Sequence, residues 1–227
     1  MSENKYKIAI LGGTGALGTG LALRWLSAGH DIIIGSRTAE KAQEAVNDLQ
    51  ETLSQRGLSS VNVTATDNIE AAKLGDIVTL TVPYAHHATT LETVKPCLNE
   101  KILIDVTVPL RPPKVGRVQL PAAGCAAVEA QQLLGESVKV VSAFQNVAAH
   151  HLQEEQKIDC DVLISGDDKA ARAVVLTLVK DAGMQGFSVG PLANSAAAEA
   201  LTSILIQINK QFKCHAGIKI SGLPEQA

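Results

Sequence analysis

The chain has little net charge: 20 Lys and Arg stand against 23 Asp and Glu, a formal charge of -3. With a pI near 6.1 it offers no basic field to hold nucleic acid or an anionic membrane, so no nucleic-acid and no membrane partner is expected, and a small-molecule ligand is favoured. Cysteine is sparse. Cys97, Cys125, Cys160 and Cys214 lie far apart and form no CxxC pair, which points to free thiols in a reducing compartment rather than a disulfide framework or a metal site. No apolar run approaches the ~18 residues of a membrane helix. The N-terminal "MSENKYK" is polar, and glycines break the next apolar run after four residues, so no signal peptide is read and a cytoplasmic location is expected. The usual side-chain constellations of catalysis are missing too: there is no His-Glu-His cluster, GxSxG elbow or serine triad pattern. His86 and His87 are adjacent, as are His150 and His151, and neighbours on a helix point apart, so no metal site is expected. No catalytic side chain suggests itself, and redox chemistry carried by a cofactor is the economical expectation.

What is present is apolar and periodic. With 46% hydrophobic residues in 227, the chain can bury a full core as one large domain or as a medium one with a smaller companion. Strand-like runs alternate with helical patterns: "KIAIL", a helix over 16–28, "DIIIG", a helix over 39–55, "VNVTA", a short helix near 68–73, "DIVTLTV", a helix over 87–97, and "KILIDVT". That alternation predicts a parallel sheet covered by helices on both faces, an α/β fold. "LRPPKVGRVQLP" reads as an irregular loop. "AAVEAQQLLG" follows as a helix closed by Gly135, and "VKVVSAF" as a further strand. The pattern then restarts with "CDVLISG", a helix over 168–182, "QGFSVG", a long apolar helix from about 193 to 214 and a short "GIKI" end. These last residues suit a small second unit packed on the first, with a ligand cleft between them.

The densest signal is "IAILGGTGALGTG", with four glycines in seven positions. Gly13, Gly15 and Gly18 satisfy GxGxxG directly after a strand and at the opening of a helix. The first glycine permits the tight turn, the second lets backbone approach a pyrophosphate, and the third lets helix and strand pack closely. About 20 residues on, an NAD-binding domain places an acid at the tip of its second strand. Here that tip is Ser36, Arg37 and Thr38, with Lys41 one helical turn further; Asp31 sits at the wrong end. A guanidinium between hydroxyls suits a 2′-phosphate, so NADP(H) is expected as cofactor. Further along, "TVPYAHH" and "DVTVPL" bring Val82, Pro83 and Val108 to the carboxyl rim of the sheet, as candidates to flank a nicotinamide.

Taken in order, "GGTGALG", "GSR", "LTVPYAHH", "SAFQNVAAHHL", "CDVLISGDD" and "GPLANS" resemble the NADPH-dependent reductases of coenzyme F420, from Lys7 to about Leu223. The resemblance implies a Rossmann-type doubly wound parallel sheet over 1–144 and a small C-terminal α/β domain over 145–227 that closes the deazaflavin cleft. It also implies a homodimer, and hydride transfer between NADPH and the 8-hydroxy-5-deazaflavin F420. By position it puts Thr14, Gly15, Ala16 and Leu17 on the pyrophosphate and Ser36, Arg37 and Lys41 on the 2′-phosphate, and it lines the nicotinamide with Val82, Val108 and Ala149. One departure is visible: Gln145 stands where some archaeal members carry histidine in a SALH pattern. The loop cations Arg111, Lys114 and Arg117 would then suit the anionic tail of F420. An NADPH-dependent reductase of a flavin or imine, and a non-catalytic NADPH sensor, are the alternatives.

Overall fold

The computed structural model describes residues 5–58 and 60–223; the first four residues of the polar N-terminal segment lie outside them. Strand β1 (Lys7–Leu11) is buried from Ile8 onward because both faces of the sheet are covered, which is why its sequence is a continuous apolar run rather than an alternation. The period of two still operates: Ile8 and Ile10 join one core layer, Ala9 and Leu11 the other. After β1 come α1 (Ala16–Ser27), β2 (Asp31–Ser36), α2 (Ala39–Gln55), β3 (Val63–Asp67), α3 (Asn68–Leu74) and β4 (Ile77–Leu80). Next are α4 (His87–Val94), β5 (Ile102–Asp105), α5 (Ala126–Leu134), β6 (Lys139–Ser142) and the single turn α6 (Ala149–Leu152). The chain finishes with β7 (Asp161–Gly166), α7 (Lys169–Asp181), β8 (Gln185–Ser188) and α8 (Ser195–Phe212).

The strands form one sheet in the order β3-β2-β1-β4-β5-β6-β7-β8. All pairings are parallel except β6 with β7. This is the doubly wound α/β fold, with α1, α2 and α7 over one face and α3, α4 and α5 over the other. The segment after residue 144 is α/β, as read from the sequence, but its two strands extend the same sheet. It also shares the core: Trp25 of α1 donates from Nε1 to the Leu178 carbonyl at 2.9 Å and meets Phe144 edge-on at 5.9 Å.

Two boundaries differ instructively from the sequence reading. The helix expected over 87–97 is broken into α4 and a separate 3₁₀ turn at Lys95–Cys97, because Pro96 has no N–H to continue the α ladder. The strand-like ends "TV", "VT" and "AF" at 81–82, 106–107 and 143–144 leave the sheet as loops, several of them buried. Phe144 turns out of β6 with φ +72°, a left-handed backbone that is unusual for an aromatic residue. These exits matter because of register. Leu11 pairs with Gly35 and Leu80, Leu80 with Asp105, and Asp105 with Ser142, so β1, β4, β5 and β6 end in one row and β2 runs one residue past it. Whatever follows that row shares one carboxyl rim.

Candidate functional site

The glycine loop leaves the centre of that rim. Gly12 has φ +70°, and a Cβ there would fall 2.5 Å from Val82 Cγ1; one on Gly13 would fall 2.7 Å from the Ile10 carbonyl, and one on Gly18 2.7 Å from Gly13 Cα. The fold itself therefore forbids side chains at these three positions. Gly15 is different. Its φ of -80° suits any residue, and a Cβ would meet only the Gly12 carbonyl at 3.8 Å. Nothing among the described residues asks for glycine there, which leaves its bare backbone open to approach from outside. Gly15 also begins α1 with no side-chain cap and no acid in the first turn, whereas α2, α3 and α7 are capped by Thr38, Asp67 and Asp168. Exposed Thr14 and Ala16 and half-buried Leu17 complete an uncapped helix N-terminus, and this cradle fits a dinucleotide pyrophosphate. Asn68, which sequence reading passed over, steadies the cradle by accepting a hydrogen bond from Gly12 N at 3.2 Å.

Beside it, at the tip of β2, Ser36 and Arg37 line a cavity of about 530 Å³, walled also by Asn68 and Ile69 of α3 and by Thr90 and Val94 of α4. Among the described residues Arg37 has no hydrogen-bond or ion-pair partner, so its planar fork is free. Lys41 lies in the first turn of α2, exposed and outside that lining; its backbone N–H is capped by Thr38 Oγ1 at 3.5 Å.

On the other side of the loop, half-buried Val82 rests against Gly12, and half-buried Val108 follows β5. Ala149 begins α6, which is fastened to α1. Gln153 Nε2 donates to the Ala16 carbonyl and to Thr19 Oγ1, each at 3.2 Å. The Arg24 guanidinium donates to the carbonyls of Leu152 at 3.1 Å and of His151 and Gln156 at 3.0 Å, and also to that of Glu154. Burial holds the Arg24 pKa below its ordinary value. The predicted pyrophosphate and nicotinamide residues thus lie on joined elements.

Sequence reading missed the buried acids below this rim. Asp105 Oδ2 meets His87 Nε2 at 2.7 Å, and its Oδ1 accepts from Thr107 N at 2.9 Å. Burial disfavours the imidazolium, but the hydrogen bond and charge of Asp105 outweigh it, and His87 titrates above its ordinary range. Gln145 Nε2 donates to the Asp105 carbonyl at 2.8 Å, which leaves Gln145 Oε1, like Thr107 Oγ1, buried without a partner among the described residues. Further along, Glu199 of α8 accepts from Ala126 N at 2.7 Å, from Ala127 N at 3.2 Å and from Ser195 Oγ at 2.8 Å, while Ser195 meets Ser142 at 2.5 Å. Burial pushes the Glu199 pKa up to about 7 against the pull of those donors. The same burial pushes the Cys125 thiol up to about 11.

The adjacent histidines behave less simply than helical spacing implied. His215, after α8, brings a third ring 4.8 Å from His150 and 5.6 Å from His151, yet no group of three His, Cys, Asp or Glu among the described residues is arranged to hold a metal ion. In the loop after Val108, Arg111 lies 5.7 Å over the Tyr84 ring, and Lys114 and Arg117 are exposed.

The family described as NADP oxidoreductase, coenzyme F420-dependent, matches residues 7–109. The chain is 42% identical over 223 residues to an F420-dependent NADP reductase of Methanocaldococcus jannaschii, covering 96% of this chain and 99% of that one. It is 37% identical to the enzyme of the same name from Methanothermobacter thermautotrophicus, over 97% of each chain. A crystal structure from Arthrobacter sp. FB24, assigned by name to the F420-dependent NADP reductases, superposes with a TM-score of 0.80 over 96% of this chain and 100% of that one; at 23% identity it bears on the fold alone.

Proposed function

This chain belongs to the coenzyme F420-dependent NADP oxidoreductases, and we propose on that footing that it is an enzyme transferring a hydride between NADPH and the 8-hydroxy-5-deazaflavin coenzyme F420. The single observation that carries the NADP half is Gly15: a glycine the fold does not need, at an uncapped helix N-terminus beside an unpartnered Arg37. The F420 half rests on the relatives at 37–42% identity.

When bound, the two coenzymes supply a hydride donor at nicotinamide C4 and an acceptor at deazaflavin C5. The chain's task is alignment. Gly13 and Gly18 shape the loop, the Gly13 N–H being taken by the Gly35 carbonyl at 3.0 Å, while Thr14, Gly15, Ala16 and Leu17 would hold the pyrophosphate at the start of α1, and Ser36 and Arg37 the 2′-phosphate, with Lys41 adding charge from one turn away. Val82, Val108 and Ala149 give the nicotinamide an apolar bed that excludes water. Gln145 Oε1 and Thr107 Oγ1, both buried and unpartnered among the described residues, are available to ring-edge N–H donors. The proton that accompanies the hydride in reducing the deazaflavin can come from solvent, so no side chain need supply it and catalysis comes from proximity and orientation.

Residues 145–227 close the deazaflavin side, and the loop bearing Arg111, Lys114 and Arg117 receives the anionic tail. The protein is a homodimer: Ile204 and Phe212 on α8 are 49% and 67% exposed, and the loop that Gln207 ties to α8 through the Gly116 carbonyl carries exposed Val118 and Leu120. Its location is cytoplasmic, consistent with four free cysteines; no helix among the described residues is long and apolar enough to cross a membrane. Mixing NADPH with oxidised F420 and the protein bleaches the deazaflavin absorbance, and deuterium at C4 of NADPH appears in reduced F420. Oxidation of NADPH by FMN or a cyclic imine but not by F420 would assign the chain to the other reductases, and label lost to water would reject direct transfer.

A further inference from the structure

Asp105 is the last residue of β5 and wholly buried, yet its oxygens are spent on other segments rather than on its own strand. His87, the first residue of α4, brings Nε2 to Oδ2 at 2.7 Å, and the N–H of Thr107 reaches Oδ1 at 2.9 Å. The Asp105 carbonyl accepts from Gln145 Nε2 at 2.8 Å and from Ala143 N at 3.3 Å, both beyond the end of β6. One residue thus ties α4 to the exits of β5 and β6. Thr107 and Gln145, the two it fastens at those exits, carry the side-chain oxygens left buried without a partner among the described residues. Leaving such an atom open costs stability, so the arrangement is held against that cost, and the contacts that hold it converge on Asp105.

A buried carboxylate needs a cation, and His87 is the one that reaches it. Burial lowers the pKa of that ring, but the hydrogen bond and charge of Asp105 on β5, with the charges of Glu129 on α5 and Glu199 on α8, outweigh it. Tyr84 stacks over the ring at 6.1 Å and donates its hydroxyl to Glu129 at 2.8 Å, while Arg111 lies over the far ring of Tyr84. Once His87 loses its proton, Asp105 is a buried anion with neutral donors alone.

Resting on the hydride-transfer reading above, we propose that His87 and Asp105 are a positioning pair for that step, fixing Thr107, Val108 and Gln145 in the geometry in which nicotinamide meets deazaflavin. Neither touches a coenzyme. The pair acts on the rate of transfer rather than on the affinity for NADPH, and it acts fully only while His87 is charged.

The test is single-turnover bleaching of F420 by saturating NADPH from pH 6 to 9.5, in the wild type, His87→Gln and His87→Ala. NADP⁺ titration and the thermal midpoint of each protein serve as controls for binding and folding. At neutral pH His87→Ala slows transfer about ten- to hundredfold while the NADP⁺ Kd stays within about twofold. His87→Gln, which still offers Asp105 an N–H but no charge, recovers part of that rate. The ratio of the wild-type rate to that of His87→Gln cancels the titrations of the coenzymes themselves; it starts at about threefold or more and falls toward one as pH rises through the raised His87 range. A ratio that does not change with pH overturns the proposal, as does a His87→Ala loss that lies in NADP⁺ affinity rather than in rate. If His87→Ala does not fold, the ratio decides alone. A wild type that passes no hydride from NADPH to F420 is a different result: the functional reading itself fails, and this proposal with it.

Discussion

Among the described helices that begin without a capping side chain of their own, α1 and α5 are treated in opposite ways. At α5 the cap position is Cys125, and the free N–H groups of Ala126 and Ala127 are met by the Glu199 carboxylate, 73 and 72 residues away in sequence. At α1 the cap position is Gly15, and no side chain among the described residues caps it. A helix N-terminus carries roughly half a positive charge and attracts an anion in either place. Where the end is buried, the protein supplies a carboxyl acceptor itself, one that burial keeps readily protonated, and where it opens on the rim, the proposed pyrophosphate would be the acceptor. The contrast separates a structural carboxylate from a binding site built on the same physics.

The largest test removes the internal anion. Glu199→Ala leaves two buried N–H donors and a void, and should cost roughly 2–5 kcal/mol of unfolding free energy in urea titration. If the variant kept its stability yet lost NADPH, α5 would have to be reclassified as part of the ligand site.

The charge on that acid gives the next effect. Its folded pKa, about 7, lies above its ordinary value of 4.5, so the folded state binds the proton more tightly than the unfolded one. Stability is therefore fully held below about pH 4.5 and shed as pH rises toward 7, by an amount on the order of 2–3 kcal/mol. His87, raised above its ordinary range, adds a loss of the same sign at higher pH. Glu199→Gln should flatten the acidic part of the curve in denaturation measured from pH 4.5 to 8; an unchanged slope would place the titration elsewhere.

At the open end, Arg37→Glu should weaken NADPH by the roughly 1.5–3 kcal/mol of a charge-assisted contact while NADH changes little, both read by titration. A smaller effect sharpens the comparison most: Gly15→Ala should leave the apo unfolding midpoint in place, because its Cβ has room, yet raise the NADPH Kd by about tenfold, roughly 1.4 kcal/mol. Equal losses of stability and affinity would make Gly15 a folding glycine like Gly18. The smallest effect is expected at the rim loop. Replacing Arg111, Lys114 and Arg117 together by alanine should raise the F420 KM by about two- to fivefold and remove most of its salt dependence, since exposed charges are screened beyond ~10 Å at 0.1 M salt. Identical salt curves for both proteins would place the tail elsewhere.

Sequence alone determined the doubly wound fold, the glycine loop and the Ser36-Arg37 tip. Each is local: strand, turn, helix start and strand end are written in consecutive residues, with spacings that steric and phosphate chemistry constrain. It also indicated the rim positions of Val82 and Val108, since a strand's end can be read from its own apolar run. What only the tertiary structure decided are the meetings of distant side chains. His87 beside His86 looked like an equivalent neighbour until β5 brought Asp105 to it. Glu199 reads as one polar position in an apolar helix until α8 crosses the start of α5. Asn68 reads as a helix start until the sheet sets α3 beside the glycine loop. Periodicity reports which face of an element is buried, but a buried acid obtains its partner, and so its charge and its role, only when elements far apart in the chain pack together.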